Sequence, residues 1–171
     1  LFNSQQETAI MSTMTTRERT SLDTSDQAVW RSYLLAARLL FEEIDRSLSE
    51  EVDLSLPDYT LLVRLGEAGE DGLRMGELAD SAVFSRSRIS HAVARLEQAG
   101  WVERRSCPTD RRGSFASLTE SGRDKLAEAE PVHARVVQQH LLAAVDDKDS
   151  LRRLTDSIGK SLGAEPGDPV C

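Results

Sequence analysis

The chain has 171 residues, room for one domain with a dimerisation extension, and its 39% hydrophobic and 29% charged content is ordinary for a globular protein. No apolar run approaches the roughly 20 residues that span a bilayer. The N-terminal stretch has no hydrophobic segment of the kind a secretory signal needs, and Cys107 and Cys171 make neither a disulfide framework nor a CxxC metal pair. A cytoplasmic, reducing setting is therefore expected, with no membrane partner, no metal and no cofactor. The formal charge is −8, yet between residues 83 and 123 eight arginines stand against only Glu97, Glu103, Asp110 and Glu120, so that segment carries +4 and the remainder −12. Such asymmetry suits a face that meets a polyanion while the rest repels it. A solvated charged surface would look the same, and charge alone favours that simpler reading.

Residues 1–23 are polar and rich in Ser and Thr, which predicts a disordered tail. Thr24 opens "TSDQ", a capping box with Gln27 at its third helical position. Apolar residues then recur at Trp30, Tyr33/Leu34, Ala37, Leu40/Phe41, Ile44 and Leu48, the spacing of a long amphipathic helix. "DLSLP" breaks it, and Pro57 suits the first turn of a second helix carrying Tyr59, Leu61, Leu62 and Leu65. A short third helix, "MGELADSAV", points Leu78, Ala79 and Val83 inward. In "FSRSRISHAVARLEQAG", Ser85 is a good N-cap, and Ile89, Ala92, Val93 and Leu96 form one buried stripe. Gly100 is placed to end that helix.

"WVERR" and "SFASL" read as strands of a hairpin whose tip is the loop "SCPTDRRG". Thr119 caps a helix running to about Val145, in which Pro131 predicts a kink. A last helix, "DSLRRLTDSIGKSL", presents Leu151, Leu154, Ile158 and Leu162, and a loose tail follows. The fold class is mainly α with a small β-hairpin wing. A winged helix-turn-helix lobe at residues 51–118 lies between a dimerisation helix at 24–50 and dimerisation helices at 119–163, with tails at 1–23 and 164–171. The terminal helices carry apolar stripes that a lone winged lobe does not cover, so a second copy of the chain is the economical partner.

Three helices followed by a hairpin place the second helix of the turn in a DNA major groove, N-terminus first. With Ile89 inward, Ser87, His91, Ala94 and Gln98 point outward at 100° per residue, flanked by Arg88, Ser90 and Arg95. Ser85, Ser87 and Ser90 can donate to phosphates beside the helix N-terminus, whose dipole favours anions. Arg88 and His91 are the candidate base readers, and Arg86 and Arg95 the candidate backbone clamps. Arg95 could equally pair with Asp80 or Glu97, and His91 could be a plain surface histidine.

At these residues the sequence resembles the MarR family of transcription regulators, from about Trp30 to Ala144. The strongest part is "SRSRISHAVARLEQAGWVERRSCPTDRRGSFASLTESG". It holds the family's D-x-R wing followed by "LT..G", here Asp110, Arg112, Leu118, Thr119 and Gly122. "LRMGELAD" and "LSLPDYTLLVRL" match the preceding helices, and the branch it most resembles is common in actinobacteria. The resemblance implies an obligate homodimer whose first and last helices interlock, with two winged lobes on a pseudo-palindromic double-stranded DNA operator. It implies that Arg112, beside Arg111, enters the minor groove and that Asp110 steadies the arginines. Most such proteins repress, and many release DNA when a small, often aromatic, anionic effector binds between the dimer helices and the lobe.

Trp30, Tyr33 and Tyr59 could line such an effector pocket, or be ordinary core and dimer aromatics. Cys107 lies on the wing without a partner cysteine, which favours an incidental thiol over a redox sensor. His133 and His140 share a helix face but lack carboxylate support, so packing is the simpler role. A winged-helix module that docks another protein is the alternative function; it should carry exposed apolar anchors on the outward helix face. No nucleophile–base pair, phosphate-binding glycine loop or metal cluster suggests an enzyme.

Overall fold

The computed structural model describes residues 21–81, 86–106 and 114–163, with residues 79–81, 86–88 and 106 described by their backbone alone. The chain divides into two compact units, Leu1–Arg38 and Leu39–Cys171. Helix α1 (Thr24–Val52) begins in the first and ends in the second. Its cap lies one residue earlier than the sequence suggests. Asp23, not Thr24, accepts the Asp26 N–H through its carboxylate at 2.8 Å, and its carbonyl accepts the Gln27 N–H. A carboxylate at the positive end of the helix satisfies a free donor and the dipole together. In the first unit, Trp30 and Tyr33 stack with centroids 6.1 Å apart, and both remain about half exposed.

In the second unit, α1 buries Ile44, Ser47, Leu48 and Val52, one stripe at helical spacing. Asp53 then takes a left-handed φ of 50°, and the Leu54 N–H returns to the Leu48 carbonyl, closing the end of the helix. Helix α2 (Leu56–Glu67) has Ser55 as its cap and Pro57 in its first turn, and it buries Tyr59, Leu61, Leu62 and Leu65. The Leu56 N–H donates to the Asp45 carboxylate at 2.7 Å, joining the start of α2 to α1.

After a 3-10 turn at Gly69–Asp71 comes strand β1 (Leu73–Arg74), then α3 (Met75–Ser81) and α4 (Arg86–Gln98). Strands β2 (Val102–Ser106) and β3 (Ser114–Leu118) follow, then α5 (Glu120–His140), a 3-10 turn at Leu142–Ala144, and α6 (Lys148–Ser161). The expected hairpin is the larger part of a three-stranded antiparallel sheet in the order β1-β3-β2. β1 escapes the sequence because two residues show no periodicity; Leu73 and Arg74 are extended because β3 offers its free edge to them, opposite Ala116 and Phe115.

The core gathers Leu48, Leu61, Leu62, Leu65, Leu78, Ile89, Val93, Leu96 and Val136, each less than about 3% exposed. The stripe expected on α4, Ile89, Ala92, Val93 and Leu96, is buried throughout. Gly100 ends that helix with φ of 80°. Thr119 then caps α5, accepting the Gly122 N–H at 3.0 Å and donating to the Gly100 carbonyl at 2.7 Å. One threonine thus welds the end of the α4 turn to the start of α5. α5 stays α-helical through Pro131 to His140 and tightens into its 3-10 turn instead of running on to Val145. Among the described residues, no helix is long and apolar enough to cross a membrane.

Candidate nucleic-acid interface

Helix α4 is held by its apolar stripe, which leaves its other face in solvent. Ser90, His91, Arg95 and Gln98 are exposed and Ala94 is half-buried, the outward set expected from the 100° period. Among the described residues of α4, no large apolar side chain is exposed. Arg86, Ser87 and Arg88 occupy its first turn. Ser85 lies outside the described residues, as do Cys107, Asp110, Arg111 and Arg112 at the tip between β2 and β3.

Every arginine of the basic segment whose side chain is described is engaged within the protein. Arg95 Nη2 donates to Asp58 Oδ1 at 2.8 Å, across 37 residues of sequence, and not to Glu97; the side chain of Asp80 lies outside those described. Arg104 donates through Nε and Nη2 to Glu97 Oε2 at 2.9 and 2.6 Å. Arg105 Nη2 donates to the Glu70 carbonyl at 2.7 Å and to Ser117 Oγ at 3.1 Å, with Glu103 3.6 Å from its Nε. Arg123 donates to the Leu118 carbonyl at 3.2 Å. The charge counted along the sequence is therefore partly neutralised in space. The segment's other arginines, Arg86 and Arg88 in the first turn of α4 and Arg111 and Arg112 at the tip, have side chains outside the described ones.

The three aromatic residues considered for an effector pocket have different surroundings. Trp30 and Tyr33 stack on each other in the first unit. Tyr59 is 4% exposed in the second unit and stacks on His133 with centroids 4.8 Å apart. That packing is the role foreseen for His133, and burial pushes its pKa below the usual histidine value. A cavity of about 600 Å³ lies elsewhere, between the end of α2, Leu118 and the first turns of α5. Glu67, Glu70 and Glu130 line it beside Arg123, an environment that repels an anion. No group of three or more His, Cys, Asp or Glu suited to a metal occurs among the described residues.

Residues 52–113, from the last residue of α1 to the residue before β3, match the model of the MarR family. Sco3205, a MarR family transcriptional regulator from Streptomyces coelicolor solved in complex with DNA, shares the fold with a TM-score of 0.79. It is 40% identical, over 88% of this chain and 95% of that one. The transcriptional regulator HosA of Escherichia coli O111:H- is 30% identical over 105 residues, 61% of this chain and 76% of HosA. The transcriptional repressor MprA of Escherichia coli K12 is 30% identical over 113 residues, 66% of this chain and 64% of MprA. Likeness of that extent in both sequence and fold makes the chain a member of the MarR family, DNA-binding transcription regulators built on the winged helix-turn-helix.

Proposed function

We propose that the chain works as a homodimeric, sequence-specific repressor that leaves its operator when a small effector binds. The observation that carries the reading is the outward face of α4, polar and without an apolar anchor, on a helix whose opposite face is fully packed. A protein-docking face draws its affinity from buried aromatic or aliphatic anchors; a groove-reading face needs donors.

In this reading Ser85, Ser87 and Ser90 hold phosphates at the N-terminus of α4 and Arg86 clamps the backbone. Arg88 and His91 meet base edges, while Arg111 and Arg112 enter the minor groove beside Asp110. The relative MprA is a repressor and Sco3205 was solved on DNA, which supports both the mode of action and the partner. Val29, Trp30, Tyr33, Leu34 and Phe41 on α1, Leu154 and Ile158 on α6 and Leu162 just after it are all more than 40% exposed, which supports a second copy of the chain as their cover. Two-fold symmetry then sets the recognition helices about 34–36 Å apart, one turn of DNA. The stacked Trp30 and Tyr33 suit a flat aromatic effector better than the acidic cavity does.

The test is selection of a binding site from random duplexes, followed by titration against salt. The wild-type protein should select a pseudo-palindrome that small aromatic acids release. Arg112→Ala should bind it more weakly and flatten the plot of log affinity against log salt by about 0.9 per lost phosphate contact. Unchanged affinity and slope would remove Arg112 from the interface.

A further inference from the structure

The last two turns of α4 carry two ion pairs. Arg95 goes to Asp58 on α2, and Glu97 receives Arg104 from β2. At 100° per residue the two side chains leave the helix about 200° apart, on opposite sides of its axis. Neither anchor is loose. The Asp58 side chain is only 15% exposed, and its Oδ2 accepts the Ser55 hydroxyl at 2.8 Å while its own N–H donates to Ser55 Oγ at 3.2 Å. Between them, Leu56 donates its N–H to the Asp45 carboxylate of α1. On the other side, Arg104 stands mid-strand opposite Ala116, and both of its donors converge on one carboxylate oxygen.

We propose that the Asp58–Arg95 and Glu97–Arg104 pairs are positioning tethers. They fix the rotation of α4 about its own axis, and with it the aim of Ser90 and His91, so Arg95 and Arg104 serve DNA reading through carboxylates and not by neutralising phosphate. The inference rests on the DNA-reading role proposed above. It departs from the sequence expectation for Arg95, since a phosphate clamp is not held 2.8 Å from an anchored carboxylate. The two roles have different signatures. A clamp adds affinity to every duplex alike and about 0.9 to the salt slope. A tether adds to the preference for the operator over a scrambled duplex and leaves the slope alone.

The experiment measures both duplexes across a salt series with D58N, R95Q, E97Q, R104Q, the double variant D58N/R95Q and the charge exchange E97R/R104E. Melting temperatures confirm that each variant folds, and D58N keeps an oxygen for Ser55. Each single variant should lower the operator preference roughly fivefold or more with the slope unmoved. D58N/R95Q should be no worse than either single change, and E97R/R104E should recover most of the preference. A slope flattened by about one unit in R95Q or R104Q, with both duplexes weakened alike, overturns the proposal. So does an E97R/R104E protein that melts normally and recovers nothing. A wild-type protein that selects no sequence sinks the DNA-reading role itself. Amide hydrogen exchange then reads the tethers alone: D58N and R104Q should speed exchange at residues 94–98, and unchanged rates there count against them.

Discussion

At the scale of single residues, side chains that look alike in sequence have unlike work. His91 is exposed on the outward face of α4, whereas His133 is packed against Tyr59. His91→Ala should loosen base preference at one or two operator positions by about 1 kcal/mol of discrimination, as read by site selection. His133 has its pKa lowered by burial, so the unfolded chain binds its proton more readily than the folded one. Its contribution to stability is complete above the unfolded value near pH 6.5 and is lost as pH falls from there through the lower folded value. His133→Phe keeps an aromatic ring on Tyr59 and removes the titration. Thermal unfolding at pH 7.5 and 5.5 should show a smaller loss in the variant than in the wild type; equal losses would clear His133 of any part. The arginines make the same point: Arg104 is held by the carboxylate of Glu97, whereas Arg105 is held by the Glu70 carbonyl and the Ser117 hydroxyl.

Between elements, backbone approach decides what the sequence can vary. A Cβ on Gly122 would lie 1.9 Å from the Trp101 carbonyl oxygen, closer than any real contact, because the first turn of α5 sits directly on the residue before β2. Gly122→Ala should therefore destabilise the fold by on the order of 2–3 kcal/mol in chemical denaturation. The glycine of the "LT..G" signature is thus explained by packing. Gly72 is required twice over, by φ of 68° and by the Ala116 carbonyl, 2.2 Å from where its Cβ would stand. That close approach is what lets β1 reach the edge of β3. Helix α4 is held by such junctions: its apolar stripe in the core, Thr119 across its C-terminal turn, and the Asp58 and Glu97 ion pairs.

For the molecule as a whole, the notable surface is apolar. Phe41 is 57% exposed on a helix whose Ile44 and Leu48 are buried, and α6 buries none of its residues. Apolar side chains left in water along two helices fit a chain completed by its own copy. Phe41→Glu keeps helix propensity and should shift the protein toward monomer in analytical ultracentrifugation. Operator affinity should fall roughly 10²-fold as the second half-site contact is lost. An unshifted sedimentation coefficient would place the self-association surface elsewhere. The acidic balance of the chain outside residues 83–123 complements this arrangement, because net repulsion elsewhere leaves DNA one face to approach.

The local pattern of the sequence settles the helices, the buried stripe of α4, the cap at Thr119, the two longer strands and the order of the winged lobe. Each of these rests on spacing or on one residue's own stereochemistry, and both are written along the chain. Tertiary structure alone decides the third strand, the need for Gly122 and the partner of every described arginine in the basic segment. Those depend on which atoms meet across tens of residues. Asp58 and Arg95 are 37 positions apart, and nothing in either neighbourhood names the other. A charge count therefore finds the basic segment, and the folded chain determines which of its described arginines are already paired.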